Sequence, residues 1–190
     1  KTWSSEKGAN IALSIVLNPY PLSIPEQFRL SACVAESVFE FFFKYAGDET
    51  KIKWPNDILI NGKKVSGLIA EVVGDGVVVG IGVNVGMEES ELPVETATSL
   101  LLEGGVDLTR DQLLCEILEE FEEHFLQWDQ GIDEIQPLYM HLSSTVGKEV
   151  RVEYPGGETH VATAESISDT GALVLDDGTH VQSADVIHLR

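Results

Sequence analysis

Cationic side chains are scarce in this chain. Its 190 residues carry 12 Lys and Arg against 32 Asp and Glu, a formal net charge of −20. Non-specific nucleic-acid binding needs clustered cations facing phosphates, so this balance excludes such a role for this part of the chain. The charge favours solubility, and any anionic substrate must be met by a few cations gathered in one place. Cysteine is equally sparse. Cys33 and Cys115 lie far apart with no CxxC pair, which excludes a disulfide framework and a cysteine zinc site. The expectation is two buried, reduced thiols in a cytoplasmic protein. His124, His141, His160, His180 and His188 are scattered and add no metal-ligand spacing. No apolar run approaches the length of a membrane span, no signal-peptide pattern is seen, and no repeat is visible.

What is present is globular: hydrophobic residues make up 43% and aromatics 7%. Ile11, Leu13, Ile15 and Leu17 alternate with smaller or polar residues and predict a strand over 10–17, ended by Asn18-Pro19-Tyr20-Pro21. Residues 25–45 read as a long helix with Pro25 in its first turn. Phe41-Phe42-Phe43 make it apolar around much of its circumference, and Gly47 stops it. Asn61-Gly62 is a type I′ hairpin signal between strands 58–60 and 64–73. After Gly74-Asp75-Gly76, residues 77–85 are nearly all β-formers, the pattern of a central strand covered on both faces.

Residues 86–94 read as an acidic loop and 97–102 as a short helix ended by Gly104-Gly105. Thr109 and Gln112 form a capping box that opens a second long helix. Its expected buried stripe is Leu113, Leu114, Ile117, Leu118, Phe121, Phe125 and Trp128. At this spacing Glu116, Glu119, Glu120, Glu122 and Glu123 form a solvated face rather than a set of catalytic acids. From Val146 the texture changes to short strands over 149–154, 160–167, 172–175, 179–182 and 185–189, joined by glycine turns, which suggests a small β-barrel. The fold class expected is α+β, a mixed or antiparallel sheet packed by helices in residues 1–143, with a second β-domain in 146–190.

The segment Lys53-Trp54-Pro55-Asn56-Asp57 carries the most chemistry. A lysine beside bulky, rigid neighbours suits an anionic reacting group such as a carboxylate or phosphate. The same segment resembles the KWPND signature of the biotin protein ligases. Trp3-Ser4-Ser5-Glu6-Lys7-Gly8-Ala9-Asn10 resembles that family's W-x-S-x-x-G-x-N segment. Lys64-Val65-Ser66-Gly67-Leu68-Ile69-Ala70-Glu71 resembles its K-x-x-G-I-L-x-E element, and Gly80-Ile81-Gly82-Val83-Asn84 its G-I-G-x-N strand. The small C-terminal domain matches the family's SH3-like barrel.

The resemblance implies a class II synthetase-like catalytic domain and a two-step, ATP-dependent reaction. Biotin and ATP give biotinyl-5′-AMP, and a lysine of a biotin carboxyl carrier domain then takes the biotinyl group. It implies Lys53 as the catalytic residue, on the biotin carboxylate. Trp3, Gly67 and Ile58 are implied as biotin contacts, and Lys1, Trp3, Asn56, Asn84 and Arg190 as nucleotide contacts. Mg²⁺ arrives with ATP, near Asp57, without a fixed protein site. Trp54 and Pro55 buttress the lysine. A homodimer through the central sheet is a further expectation.

One departure concerns the family's GRGRxGR loop, which precedes its W-x-S segment. Here only Lys1 matches that loop's last basic position, and the upstream Ser/Thr and Gln positions that bind biotin have no counterpart. The chain opens without a methionine, as if its beginning lay upstream, and the expectation is that these residues alone bind biotin poorly. Alternatives are a lipoate or octanoyl ligase, which lacks a KWPND run, and a non-catalytic biotin-sensing module, which needs an N-terminal DNA-binding domain.

Overall fold

The computed structural model describes residues 9–17, 22–105, 107–131, 134–182 and 184–189. The first sheet contains β1 (Asn10–Leu17), β2 (Thr50–Lys53), β3 (Asp57–Ile60), β4 (Lys63–Val73) and β5 (Gly76–Asn84). Their order is β1-β5-β4-β3-β2 and every strand pairing is antiparallel. Helix α1 (Ile24–Ala46) packs against β2, β3 and β4. It begins in a capping box in which the Ser23 amide donates to the Glu26 carboxylate at 2.7 Å. Leu30, Cys33, Val34, Val38, Phe41 and Phe42 fill the space between helix and sheet.

Helix α2 (Arg110–Asp129) lies on the outer side of α1 and is opened by the expected Thr109–Gln112 box. Leu113, Ile117, Phe121 and Trp128 are its buried stripe, while Leu118, expected in that stripe, is exposed. Glu116 and Glu120 also depart from the solvated face. Tyr45 Oη donates to Glu116 at 2.5 Å and Lys44 pairs with Glu120, so these two carboxylates hold the helices in register. Cys33 is buried, but Cys115 on the outer face of α2 is exposed, against the expectation of two buried thiols.

Three further differences have local causes. The short helix expected over 97–102 is a series of turns. The amide of Thr98 donates to the Lys64 carbonyl at 2.8 Å, and those of Leu100 and Leu101 to Asn84 and Val85 at 3.0 and 2.9 Å. Amides committed to the sheet cannot close helical bonds. Strand β5 is buried on one face only, through Val77, Val79, Ile81 and Val83; on the other, Val78, Gly80 and Gly82 are half-exposed. Helix α3 (Ile135–Leu142), containing Pro137, was not foreseen. It too packs on α1.

The second sheet matches the expected strand spacing closely: β6 (Glu149–Glu153), β7 (Thr159–Ile167), β8 (Leu173–Leu175), β9 (His180–Val181) and β10 (Asp185–His188). Its order is β10-β6-β7-β8-β9, all antiparallel, around Val150, Val152, Ala164, Ile167, Leu173, Leu175, Val181 and Val186. Among the described residues no helix is long and apolar enough to cross a membrane.

Candidate functional site

Directly opposed residues of an antiparallel ladder share a face of the sheet. Following the register across β2, β3, β4, β5 and β1 gives one transverse row: Lys53 opposite Asp57, Asp57 opposite Gly67, Gly67 opposite Gly82, and Gly82 opposite Ala12. Three of the sequence motifs therefore meet in a single line, with the lysine at one end and two adjacent glycines in the middle. Gly80, in the next row on the same face, lies opposite Ser14 and Ile69. A Cβ at Gly80 would stand 2.8 Å from Cγ2 of the exposed Ile69 side chain beside it in that row. Gly82 and Ala12 were not singled out from sequence; the signal was two glycines, one in each motif, that register alone brings together.

The neighbouring row, one residue along each strand, is Ile52, Ile58, Ser66, Val83 and Ile11. All five are buried, on the face whose β2–β4 part is covered by α1. Ile58, an expected biotin contact, belongs to this row. Its side chain is fully buried on the helix side, away from Lys53 and Gly67, so a side-chain contact with a ligand on the lysine face is closed to it.

Asp57 pairs with the ammonium of Lys64 on the next strand. Asn56 is tied to β4 just beyond Gly67: its carbonyl accepts from the Leu68 amide at 2.9 Å, and its side-chain amide donates to the Leu68 carbonyl. That fixes the turn relative to the glycine row and spends the side-chain donor expected for nucleotide. Asn84 is similarly committed. It is buried, donates to the Thr98 carbonyl at 2.9 Å and accepts from Asn10 Nδ2 at 3.4 Å. Lys1, Trp3 and Arg190 lie outside the described residues.

The lysine segment is held from behind by residues much later in the chain. The Ser144 amide donates to the Ile52 carbonyl at 2.7 Å, and the Trp54 amide donates to Thr145 Oγ1 at 3.1 Å. Trp54 Nε1 donates to the Gly171 carbonyl at 2.9 Å, and Tyr139 Oη donates to the Pro55 carbonyl at 2.7 Å. The Trp54–Pro55 peptide is cis. Trp54 itself is 2% exposed, which agrees with its expected buttressing role. Burial, then the carboxylates of Asp57 and Glu36, push the Tyr139 phenol far up, so it stays a donor at any ordinary pH. Gly171 sits at φ +81° with its Cα against Phe28, where a Cβ would stand 2.4 Å from the ring, so only glycine fits.

A cavity of about 360 Å³ borders the same segment on its helix side, between α1, β4–β5 and the second sheet's 170–171 turn. Phe28, Trp54, Leu68, Val79, Tyr139 and Gly171 line it. Leu68 and Val79 belong to the helix-side face, so the cavity lies behind the Lys53–Gly67–Gly82 row. Among the described residues no group of three or more His, Cys, Asp and Glu side chains could hold a metal ion.

Two family models place this fold in a class of protein ligases. The family model described as "Biotin/lipoate A/B protein ligase family" matches residues 1–88, and that described as "Biotin protein ligase C terminal domain" matches residues 145–189. The biotin–[acetyl-CoA-carboxylase] ligase of Mycobacterium tuberculosis is 34% identical over 99% of this chain and 73% of its own length. The bifunctional ligase/repressor BirA of Bacillus subtilis is 33% identical over 98% of this chain; the chain spans 60% of that relative's length. The Aquifex aeolicus biotin protein ligase in complex with biotin and ATP superposes with a TM-score of 0.77 at 24% identity, over 95% of this chain and 79% of that one. The chain belongs to the biotin protein ligase family.

Proposed function

We infer that this chain ligates biotin, with ATP, to a lysine of a biotin carboxyl carrier domain. The observation that carries this reading is the row itself: a lysine ending a floor made of Gly67 and Gly82, in a family of biotin ligases. A compact fused bicycle can approach the strands closely where Gly67 and Gly82 carry no side chains, and its carboxylate needs a cation at one end. In the first step a biotin carboxylate oxygen attacks the α-phosphorus of ATP, the bond to the β-phosphate oxygen breaks, and pyrophosphate leaves. Lys53 balances the charge gathered between carboxylate and phosphate. In the second, the carrier amine attacks the acyl carbon, AMP leaves, and a proton passes to solvent. No covalent enzyme intermediate is needed, so positioning dominates.

Asp57 is the carboxylate in the row. One of its oxygens is taken by Lys64, and the other suits the hard Mg²⁺ that accompanies a nucleotide. Residues 1–143 form the catalytic unit and 146–190 an SH3-like barrel in this reading, which the separate sheets support. A cytoplasmic setting, where ATP is at hand, belongs to this reading. A homodimer through the central sheet is supported by β4, which runs beyond its β3 partner at Gly67 with Ile69, Val72 and Val73 exposed.

Replacing Lys53 tests the assignment. Lys53→Ala in the full-length protein is expected to keep the fold and lower pyrophosphate release by about 10²–10³-fold, the scale of losing a charge aimed at the transition state. Near-normal release would sink it.

A further inference from the structure

Strand β2 is four residues long and stands at the edge of its sheet. One side of it bonds to β3; the other is closed by residues 143–145, the stretch that leads directly into β6. Ser143 forms a parallel bridge with Ile52 there. Two bonds bracket Lys53 on that side, Ser144 N to Ile52 O at 2.7 Å and Trp54 N to Thr145 Oγ1 at 3.1 Å. The first is backbone to backbone and any residue can make it. The second depends on a hydroxyl.

Thr145 is fully buried, and its Oγ1 makes a second contact, 3.0 Å from His188 Nε2 on β10. A hydroxyl has one proton and two lone pairs. It accepts from the Trp54 amide and, with His188 in its Nδ1–H tautomer, donates to Nε2, each bond strengthening the other. Burial holds His188 below its ordinary range, with the Lys53 and Lys148 ammonium groups adding to that, which favours the neutral ring. The chain His188–Thr145–Trp54 thus runs from the last strand of the second sheet to the residue after the reactive lysine.

We propose that Thr145, oriented by His188, is a positioning residue for Lys53: its hydroxyl sets the backbone at Trp54 and so aims the ammonium along the Gly67–Gly82 floor. The proposal rests on the biotin-ligase reading and assigns the second sheet a share in step one through two named side chains.

The test uses Thr145→Val, Thr145→Ser, His188→Leu and His188→Gln in the full-length protein, with single-turnover pyrophosphate release, biotin KM and Tm measured for each. Thr145→Val keeps the shape and removes the bond; its release rate is expected to fall between about tenfold and a hundredfold, as for a reacting group displaced by a fraction of an ångström, with biotin KM changing less. Serine at 145 restores the rate. Leucine at 188 lowers it and glutamine, which can still accept, restores it. In the Thr145→Val background, leucine at 188 adds nothing further, since both act through one bond. Should Thr145→Val fail to fold, the His188 pair and Thr145→Ser decide alone. Variants that lose Tm but keep the wild-type rate would overturn the proposal, as would failure of the conservative variants to rescue. Absence of release in the wild type would instead remove the biotin-ligase reading, and this inference with it.

Discussion

The two faces of the first sheet differ by one residue along each strand and by almost everything else. On one face run Ile52, Ile58, Ser66, Val83 and Ile11, all buried, with α1 over the β2–β4 part of the row. On the other run Lys53, Asp57, Gly67, Gly82 and Ala12, with a cation, a carboxylate and a bare floor. Side chains alternate across a strand, so stability and chemistry are written in interleaved positions of the same segments. A one-residue slip would exchange them, putting Lys53 into the core. The five hydrogen bonds that hold residues 52–55 from residues 139–171 prevent that slip at the edge where the lysine sits.

Breaking the helix-covered row gives the largest expected effect on folding. Ile58→Ala deletes fully buried methylenes and is expected to destabilise by about 2–5 kcal/mol. Activity per folded molecule, measured well below the transition, should hold. A matching loss of biotin affinity at full folding would place Ile58 in the site after all.

The opposite signature is expected of Gly82→Val. A branched side chain standing on the floor is expected to weaken biotin binding by about tenfold to a hundredfold, the 1–3 kcal/mol of overpacking converted to affinity, with Tm nearly unchanged. Titration calorimetry with biotin checks it; unaltered affinity would mean that the ligand does not lie across Gly67 and Gly82.

A smaller, pH-dependent effect sharpens the helix side. Glu36 on α1 is 1% exposed, and burial pushes its carboxyl up to about 8, repulsion from Glu40 adding to this and a bond from the Tyr139 amide opposing it. The folded chain then holds a proton that the unfolded chain releases near its ordinary pKa of 4.5. Stability from this group is full below that value, falls as pH rises towards about 8, and stays lost above. Glu36→Gln cannot ionise. Its Tm is expected to match the wild type at pH 4.5 and exceed it by several degrees at pH 9, with thermal melts at both values as the check. A gap that does not vary with pH would show that Glu36 ionises freely in the fold.

Much of the fold was legible because its signals are local. The Thr109–Gln112 box, the Asn61-Gly62 hairpin and the evenly spaced strands after Val146 all appear as expected. The motif residues Lys53, Asp57 and Gly67 were legible as types. Their alignment was not, because register depends on a bulge between Ile58 and Leu59 and on β5 pairing between β1 and β4. For the same reason the resemblance, which implied Ile58 as a biotin contact, could not show which face its side chain takes. Asn56 and Asn84 looked available for nucleotide because their partners, Leu68 and Thr98, are set by tertiary pairing. The partners of Trp54, namely Thr145 and Gly171, lie 91 and 117 residues away, and no spacing rule reaches that far.

The central claim is that biotin lies across the glycine floor with its carboxylate at Lys53. Intermolecular NOEs between bound biotin and assigned methyl groups of the full-length protein test it most directly. The account predicts contacts to the Ala12 methyl, at the far end of the row from Lys53, and none to the Ile58 or Val83 methyls one row away. Contacts to Ile58 and Val83, with none to Ala12, would put the ligand on the other face and contradict it.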